Sequence, residues 1–268
     1  MRVITVANQK GGVGKTTTSV ALGGLASTLG YRVLLVDIDP HGSLSTYFRQ
    51  DPDTQELSSY TLFQERKELT AASVKRLIRA TDYPHLDLLP SSTALATLER
   101  QAIGQDGMGL VLSRSLACIY HDYDFVFIDT PPLLGVLMIN ALAACQHLVI
   151  PVQTEFLALK GLERMVNTLK MMSRSRKKPL DYTILPLMYD RRTQASITSL
   201  RTIRNTYPNE VWPGHIPVDT KFRDASRAGV PPHLFDETAR GVDAYKSLFK
   251  FLMQKFAIDD ARVAAGAS

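Results

Sequence analysis

The chain reads as an α/β protein, a doubly wound and mainly parallel sheet sandwiched between two layers of helices. Three observations predict it: short β-branched runs recur, helix-length segments alternate with them, and a glycine-rich turn joins the first run to the first helix. With 268 residues, 45% of them apolar and 21% charged, the chain can bury one sizeable core. A single domain is expected over residues 1–258, with a disordered tail at 259–268.

The strand-like runs fall at residues 3–7, 33–36, 86–89, 125–128, 148–152, 182–187 and 211–216. They are apolar on both sides of the pleat, as strands covered on both faces must be. Between them, residues 17–29, 109–120, 134–144 and 160–173 have helical spacing and length. A last helix over about 242–256 places Tyr245, Leu248, Phe249, Leu252 and Phe256 on one side. That stripe is read as core packing, in preference to an amphipathic helix that lies on a membrane. Residues 51–70 are polar and weakly patterned, and 103–109 carry three glycines, so both read as surface connections.

No apolar run approaches the roughly 20 residues of a membrane span, and the first strand starts at once, so a cytoplasmic protein is expected. Cys118 and Cys145 lie too far apart for a zinc knuckle and read as packing residues. The net charge of +5 is concentrated: residues 174–227 hold eleven Lys/Arg against five acids, so the remainder is slightly acidic. Such a stretch suits a polyanion, although Arg174, Arg176, Lys177 and Lys178 also suit a helix C-terminus.

The chemistry lies in Gln9-Lys10-Gly11-Gly12-Val13-Gly14-Lys15-Thr16-Thr17, between the first strand and the first helix. This is the context of a phosphate-binding loop. Glycines let backbone N–H groups turn toward phosphate oxygens, and the helix directs its positive end at the same anion. Lys15 is expected on the β- and γ-phosphates, Thr16 on Mg²⁺ and Thr17 on the α-phosphate. The usual first glycine is replaced by Gln9, and a second lysine follows at Lys10. On residue type alone Lys10 is either a solvated loop lysine or a charge that acts on a partner's nucleotide.

The loop, together with Asp37-Ile38-Asp39-Pro40-His41-Gly42 and Asp129-Thr130-Pro131-Pro132, resembles the ParA/MinD family of deviant Walker A ATPases. Pro151-Val152-Gln153, Glu155-Phe156, Met188 to Thr193 and Ile216-Pro217 resemble its ParA (Soj-like) branch, and the likeness runs from Met1 to Phe256. The resemblance implies a P-loop fold of the SIMIBI type that binds ATP and Mg²⁺ and dimerises on ATP. By the same likeness Lys10 reaches the partner's phosphates, and Lys10, Lys15 and Asp39 are the catalytic set. Asp39 positions the attacking water, Asp37 and Asp129 join Thr16 at the metal, and Pro217 and Asp219 flank adenine.

Relatives bind nonspecific DNA and are released by a partner that stimulates hydrolysis, ParB-like or a chemotaxis-array adaptor. Arg191, Arg192, Lys221, Arg223 and Arg227 are the candidate DNA contacts. The arginine that DNA-binding relatives carry after Ile-Pro is Val218 here, and only Lys221 of that pair is basic. His41, the 160–165 helix and Val218-Asp219-Thr220 resemble the ParA-like subgroup encoded with chemotaxis genes. Polar positioning of chemoreceptor arrays is therefore expected ahead of chromosome or plasmid partition, and a MinD-like membrane role is third.

Overall fold

Alternation along each strand sends side chains to two separate cores. Val3, Leu34, Val36, Val126 and Ile128 join one, while Ile4, Val6, Val33, Leu35, Phe125 and Phe127 join the other. The computed structural model describes the backbone of residues 1–101, 107–173 and 179–266, and the side chains of these except 173 and 258–266.

The strands are β1 (Arg2–Val6), β2 (Val33–Asp37), β3 (Arg79–Ala80), β4 (Leu86–Leu89), β5 (Phe125–Asp129), β6 (His147–Gln153) and β7 (Asp181–Leu187). They lie in the order β3-β4-β2-β5-β1-β6-β7, every pair parallel except β3 with β4. Three layers result, as the alternation predicts.

The helices are α1 (Lys15–Thr28), α2 (Ser43–Tyr47), α3 (Ser59–Gln64), α4 (Ala71–Lys75), α5 (Leu95–Gln101), α6 (Val111–Cys118), α7 (Val136–Ala144), α8 (Phe156–Ser173), α9 (Gln194–Thr206), α10 (Lys221–Ala228), α11 (Pro232–Phe235) and α12 (Arg240–Gly266). Helices α6, α7 and α8 cover one face of the sheet, and α1 and α12 cover the other. On α12, Tyr245, Leu248, Phe249, Leu252 and Phe256 are all buried. At about 1.5–3 kcal/mol per fully buried large apolar side chain, this stripe belongs to the core and is not a face offered to a membrane. Among the described residues no helix is long and apolar enough to cross one.

Three expectations are corrected. Residues 211–216 form no strand: Trp212 and Ile216 donate to Ile184 and Pro186 of β7, but Pro213 between them has no N–H and the ladder stops at isolated bridges. The seventh strand is β3, too short for its period to be read. Residues 51–70 are not all surface, because Ser58 caps α3 with a capping box and Leu62 and Phe63 are buried. In the 103–109 connection, residues 103–106 lie outside the described residues, while Met108 is buried in a 3₁₀ turn (Met108–Leu110). Lys177, Lys178, Arg174 and Arg176 also lie outside them. Helix α12 continues through most of 259–268, in keeping with the helix-forming Ala-rich sequence there.

At the start of β6 the His147 ring is buried, with Nε2 against Thr183 Oγ1 at 2.9 Å and Phe256 edge-on to the ring. Burial lowers its pKa to about 3 from an ordinary 6.5, so between these values the unfolded chain binds a proton that the fold refuses. Stability should therefore fall as pH drops below about 6.5, by up to ~1.4 kcal/mol per pH unit. Urea unfolding at pH 7.5 and 5.5 should show this slope, and His147→Gln should remove that contribution.

Candidate nucleotide site

Strands β1, β2 and β5 end side by side, and the loops that leave them build the site. In the ladders Asp37 faces Asp129, and Asp129 faces Val6, the last residue of β1. The parallel register thus fixes two carboxylates next to the phosphate loop.

Within the loop Gly12 and Gly14 have φ of +71° and +84°, a left-handed backbone that a side chain strains. A Cβ at Gly11 or Gly12 would meet nothing within 4 Å, so the space over the loop is open to a ligand. Val13 is fully buried, so only its backbone can face phosphate. Gln9 turns away and donates from Nε2 to Thr168 Oγ1 of α8 at 2.9 Å. Thr17 is half-buried at the third position of α1.

Lys15 is buried and its Nζ donates to Lys10 O at 3.3 Å. Burial lowers its pKa, while Asp129 and Asp39 oppose the shift. Thr16 Oγ1 donates to Asp129 Oδ2 at 2.5 Å. Asp37 accepts from Asp39 N at 3.0 Å, Ser45 N at 2.8 Å and Ser45 Oγ at 2.7 Å. Burial pushes the Asp37 and Asp129 pKa values up, and the neighbouring Asp39 carboxylate adds to both shifts, as Asp37 does to that of Asp129. Asp129 Oδ1 is buried without a hydrogen-bond partner among the described residues. An orphaned carboxylate oxygen, a second carboxylate and a hydroxyl make a hard oxygen set, which fits Mg²⁺. Asp39 Oδ1 accepts from His41 N at 3.0 Å and Nδ1 at 2.8 Å, which orients it at the mouth.

Lys10 is partly exposed, and it is paired. Its Nζ donates to Gln153 Oε1 at 3.2 Å and pairs with Glu155, while Gln153 Nε2 donates to Gly12 O at 3.0 Å. Gln153 and Glu155 entered the sequence reading only through the resemblance, without a role. Ser45 did not enter it at all, and its signal is its place just after the Asp39-Pro40-His41-Gly42 turn, at the start of α2.

Pro217 lines a cavity of about 460 Å³ with Tyr189, Asp190, Arg191, Arg192, His215, Val218 and Arg240. The Asp219 side chain faces elsewhere: its oxygens accept from Lys221 N at 3.0 Å and Gly241 N at 3.1 Å, which ties α10 to α12. Lys221, Arg223 and Arg227 lie exposed on α10, and the Tyr189–Pro217 bridge brings Arg191 and Arg192 to its start. Arg192 is held bidentate by Asp190 at 2.7–3.2 Å, and this bond holds the Asp190 carboxyl at about 2. Its charge is already balanced within the chain.

The fold and this site define a P-loop ATPase that works with ATP and Mg²⁺. The family model described as "AAA domain" matches residues 1–182. The chain is 36% identical to sporulation initiation inhibitor protein Soj of Bacillus subtilis, over 93% of this chain and 97% of that one. It is 33% identical to chromosome partitioning protein ParA of Caulobacter vibrioides, over 95% of each. Among solved structures, cobyrinic acid a,c-diamide synthase of Mycobacterium smegmatis with ADP and magnesium matches at a TM-score of 0.81, 31% identity and 96% coverage of both chains. The chain belongs to the ParA/Soj family of ATPases.

Without Mg²⁺ and nucleotide, Asp129→Asn should melt about 2–4 °C above the unaltered chain, because one of two repelling buried carboxylates is gone. The same variant should lose the stabilisation that Mg²⁺–ADP confers. Thermal melts with and without Mg²⁺–ADP check both, and a lower melting temperature for the bare variant overturns this reading of the pair.

Proposed function

We propose that this chain is an ATP-gated dimer that positions a cargo in the cell and lets go when ATP is hydrolysed. One observation carries the reading: a second lysine, Lys10, stands in the loop beside Lys15 and is paired within its own chain by Glu155 and Gln153. Two lysines on one γ-phosphate repel, so Lys10 is better used on the nucleotide of a partner, where it acts as an arginine finger does.

Backbone N–H groups of residues 11–16 and Lys15 Nζ hold the β- and γ-phosphates, with the α1 N-terminus behind them. Thr16, Asp37 and Asp129 would hold Mg²⁺ and its waters, and the ion would supply positive charge against the negative charge of the transferring phosphoryl group. Asp39, oriented by His41, aligns the attacking water. Lys10 leaves Glu155 and enters the partner's site. Pro217 and the cavity beside it take the adenine. A partner protein, ParB-like or a chemotaxis-array adaptor, stimulates hydrolysis.

Asp39→Ala with ATP and Mg²⁺ should run as a dimer in size-exclusion light scattering, and Lys10→Ala in that background should return it to monomer. A persistent Asp39→Ala monomer overturns the ATP-gated dimer.

The cargo reading favoured by His41, residues 160–165 and Val218-Asp219-Thr220 is a chemoreceptor array at the cell pole. Chromosome or plasmid partition is the second reading, supported by the names of the Soj and ParA relatives. Nonspecific DNA binding by Arg191, Lys221, Arg223 and Arg227 serves both, because exposed cations can neutralise backbone phosphates. A fluorescent fusion should form polar foci that vanish when the chemotaxis array is deleted; foci that follow replication origins instead select partition. A nucleoid-wide background should become diffuse in Lys221→Ala/Arg223→Ala, and an unchanged background removes these two residues from the DNA contact.

A further inference from the structure

Beyond the groups placed on nucleotide and metal, Glu99 of α5 makes a contact that bears on hydrolysis. Its Oε2 accepts from Val136 N at 2.9 Å and its Oε1 from Leu137 N at 3.3 Å. These are the first two N–H groups of α7, the nine-residue helix that follows the Asp129 loop. An α-helix leaves its first N–H groups without partners in its own backbone, and a carboxylate placed there also meets the positive end of the helix.

The contact depends on Gly135. A Cβ at that position would overlap the Glu99 carboxylate, although the backbone there is extended (φ −123°, ψ −161°) and any residue can adopt it. Gly135 is thus required by the approach of Glu99 and not by its own dihedrals. Among the described residues, the Glu99 bonds are those that tie the backbone of residues 131–137 to another element. Leu133 and Leu134 in this loop are exposed.

The other end of the same segment is anchored to the other catalytic loop. Ser91 Oγ donates to Asp39 O at 2.6 Å, and Ser91 N donates to Ser45 Oγ at 2.8 Å, the hydroxyl that also donates to Asp37. Residues 91–99 therefore form a strap. One end holds the turn that carries Asp39, and the other holds the loop that leads away from Asp129.

We propose that Glu99 is a positioning residue for ATP hydrolysis: seated over Gly135, it fixes the 131–135 loop relative to Asp39, so that the carboxylates of β2 and β5 act on one γ-phosphate in register. Nucleotide binding itself rests on the loop of residues 9–17, which Glu99 does not touch. The proposal rests on the ATPase activity and, through Lys10, on the proposed dimer, but not on the cargo. Single-turnover hydrolysis of ATP by the full chain is therefore read beside light scattering of the same variants, and dimers that form normally but hydrolyse slowly separate the two.

Glu99→Ala removes the carboxylate, and Gly135→Ala displaces it without removing it. Each should slow single-turnover hydrolysis on the order of tenfold, the scale of a small misplacement in a catalytic constellation, with the Kd for ATP within about twofold of the unaltered chain. Because both break one contact, the double variant should be no slower than the slower single variant. Glu99→Gln keeps an acceptor oxygen and should recover part of the rate. Multiplying effects in the double variant, a Kd that weakens as much as the rate, or rates unchanged in both single variants would overturn the proposal. If Glu99→Ala does not fold, Gly135→Ala with Glu99→Gln still decides it.

Discussion

Two buried carboxylates set side by side, Asp37 and Asp129, are the constraint to which the rest of the site answers. The parallel β2·β5 ladder makes them register partners, and burial disfavours charge on both. Without an ion the protein holds them with Ser45 on one side and Thr16 on the other, with Lys15 close enough to ease the Asp129 charge. One oxygen of Asp129 still has no partner among the described residues. A cation held there would satisfy that oxygen and both charges at once, and its binding would then be coupled to the stability of the fold.

The loops around that pair are braced from outside it. Ser59 Oγ donates to Asp37 O, Ser91 Oγ to Asp39 O, and Glu99 to the first N–H groups of α7. Helices α3 and α5, which look incidental beside the sheet, thus hold the backbone beside the carboxylates of the candidate site. The phosphate loop is braced in the same way by Gln153, which contacts both Lys10 and Gly12. Lys10, the lysine proposed to act on a partner's nucleotide, rests against Glu155 in a partly exposed pair, which solvent screens and which is given up at small cost.

The basic surface is less uniform than its composition suggests. Arg192 is neutralised by Asp190, and Lys221 lies 3.6 Å from Asp236. Arg191, Arg223 and Arg227 are the exposed cations of the candidate set for which no such acidic partner is seen among the described residues. Among the described residues, a phosphate contact there would rest on a few cations at the loop before α9 and on α10.

The sequence alone determined the layers, the phosphate loop and the carboxylates at the strand ends, because these follow from local patterns. Period-two alternation sorts side chains to two cores, left-handed positions demand Gly12 and Gly14, and Asp37 and Asp129 end apolar runs. Strand 211–216 was misread because Pro213 interrupts the ladder while its neighbours still bond to β7. Helix α3 was missed because its burial comes from tertiary contacts of Leu62 and Phe63. Only the tertiary structure decided where Lys10, Asp219 and Glu99 point. Their partners lie 145, 22 and 37 residues away in the chain, and no local pattern encodes which distant group a flexible side chain will meet.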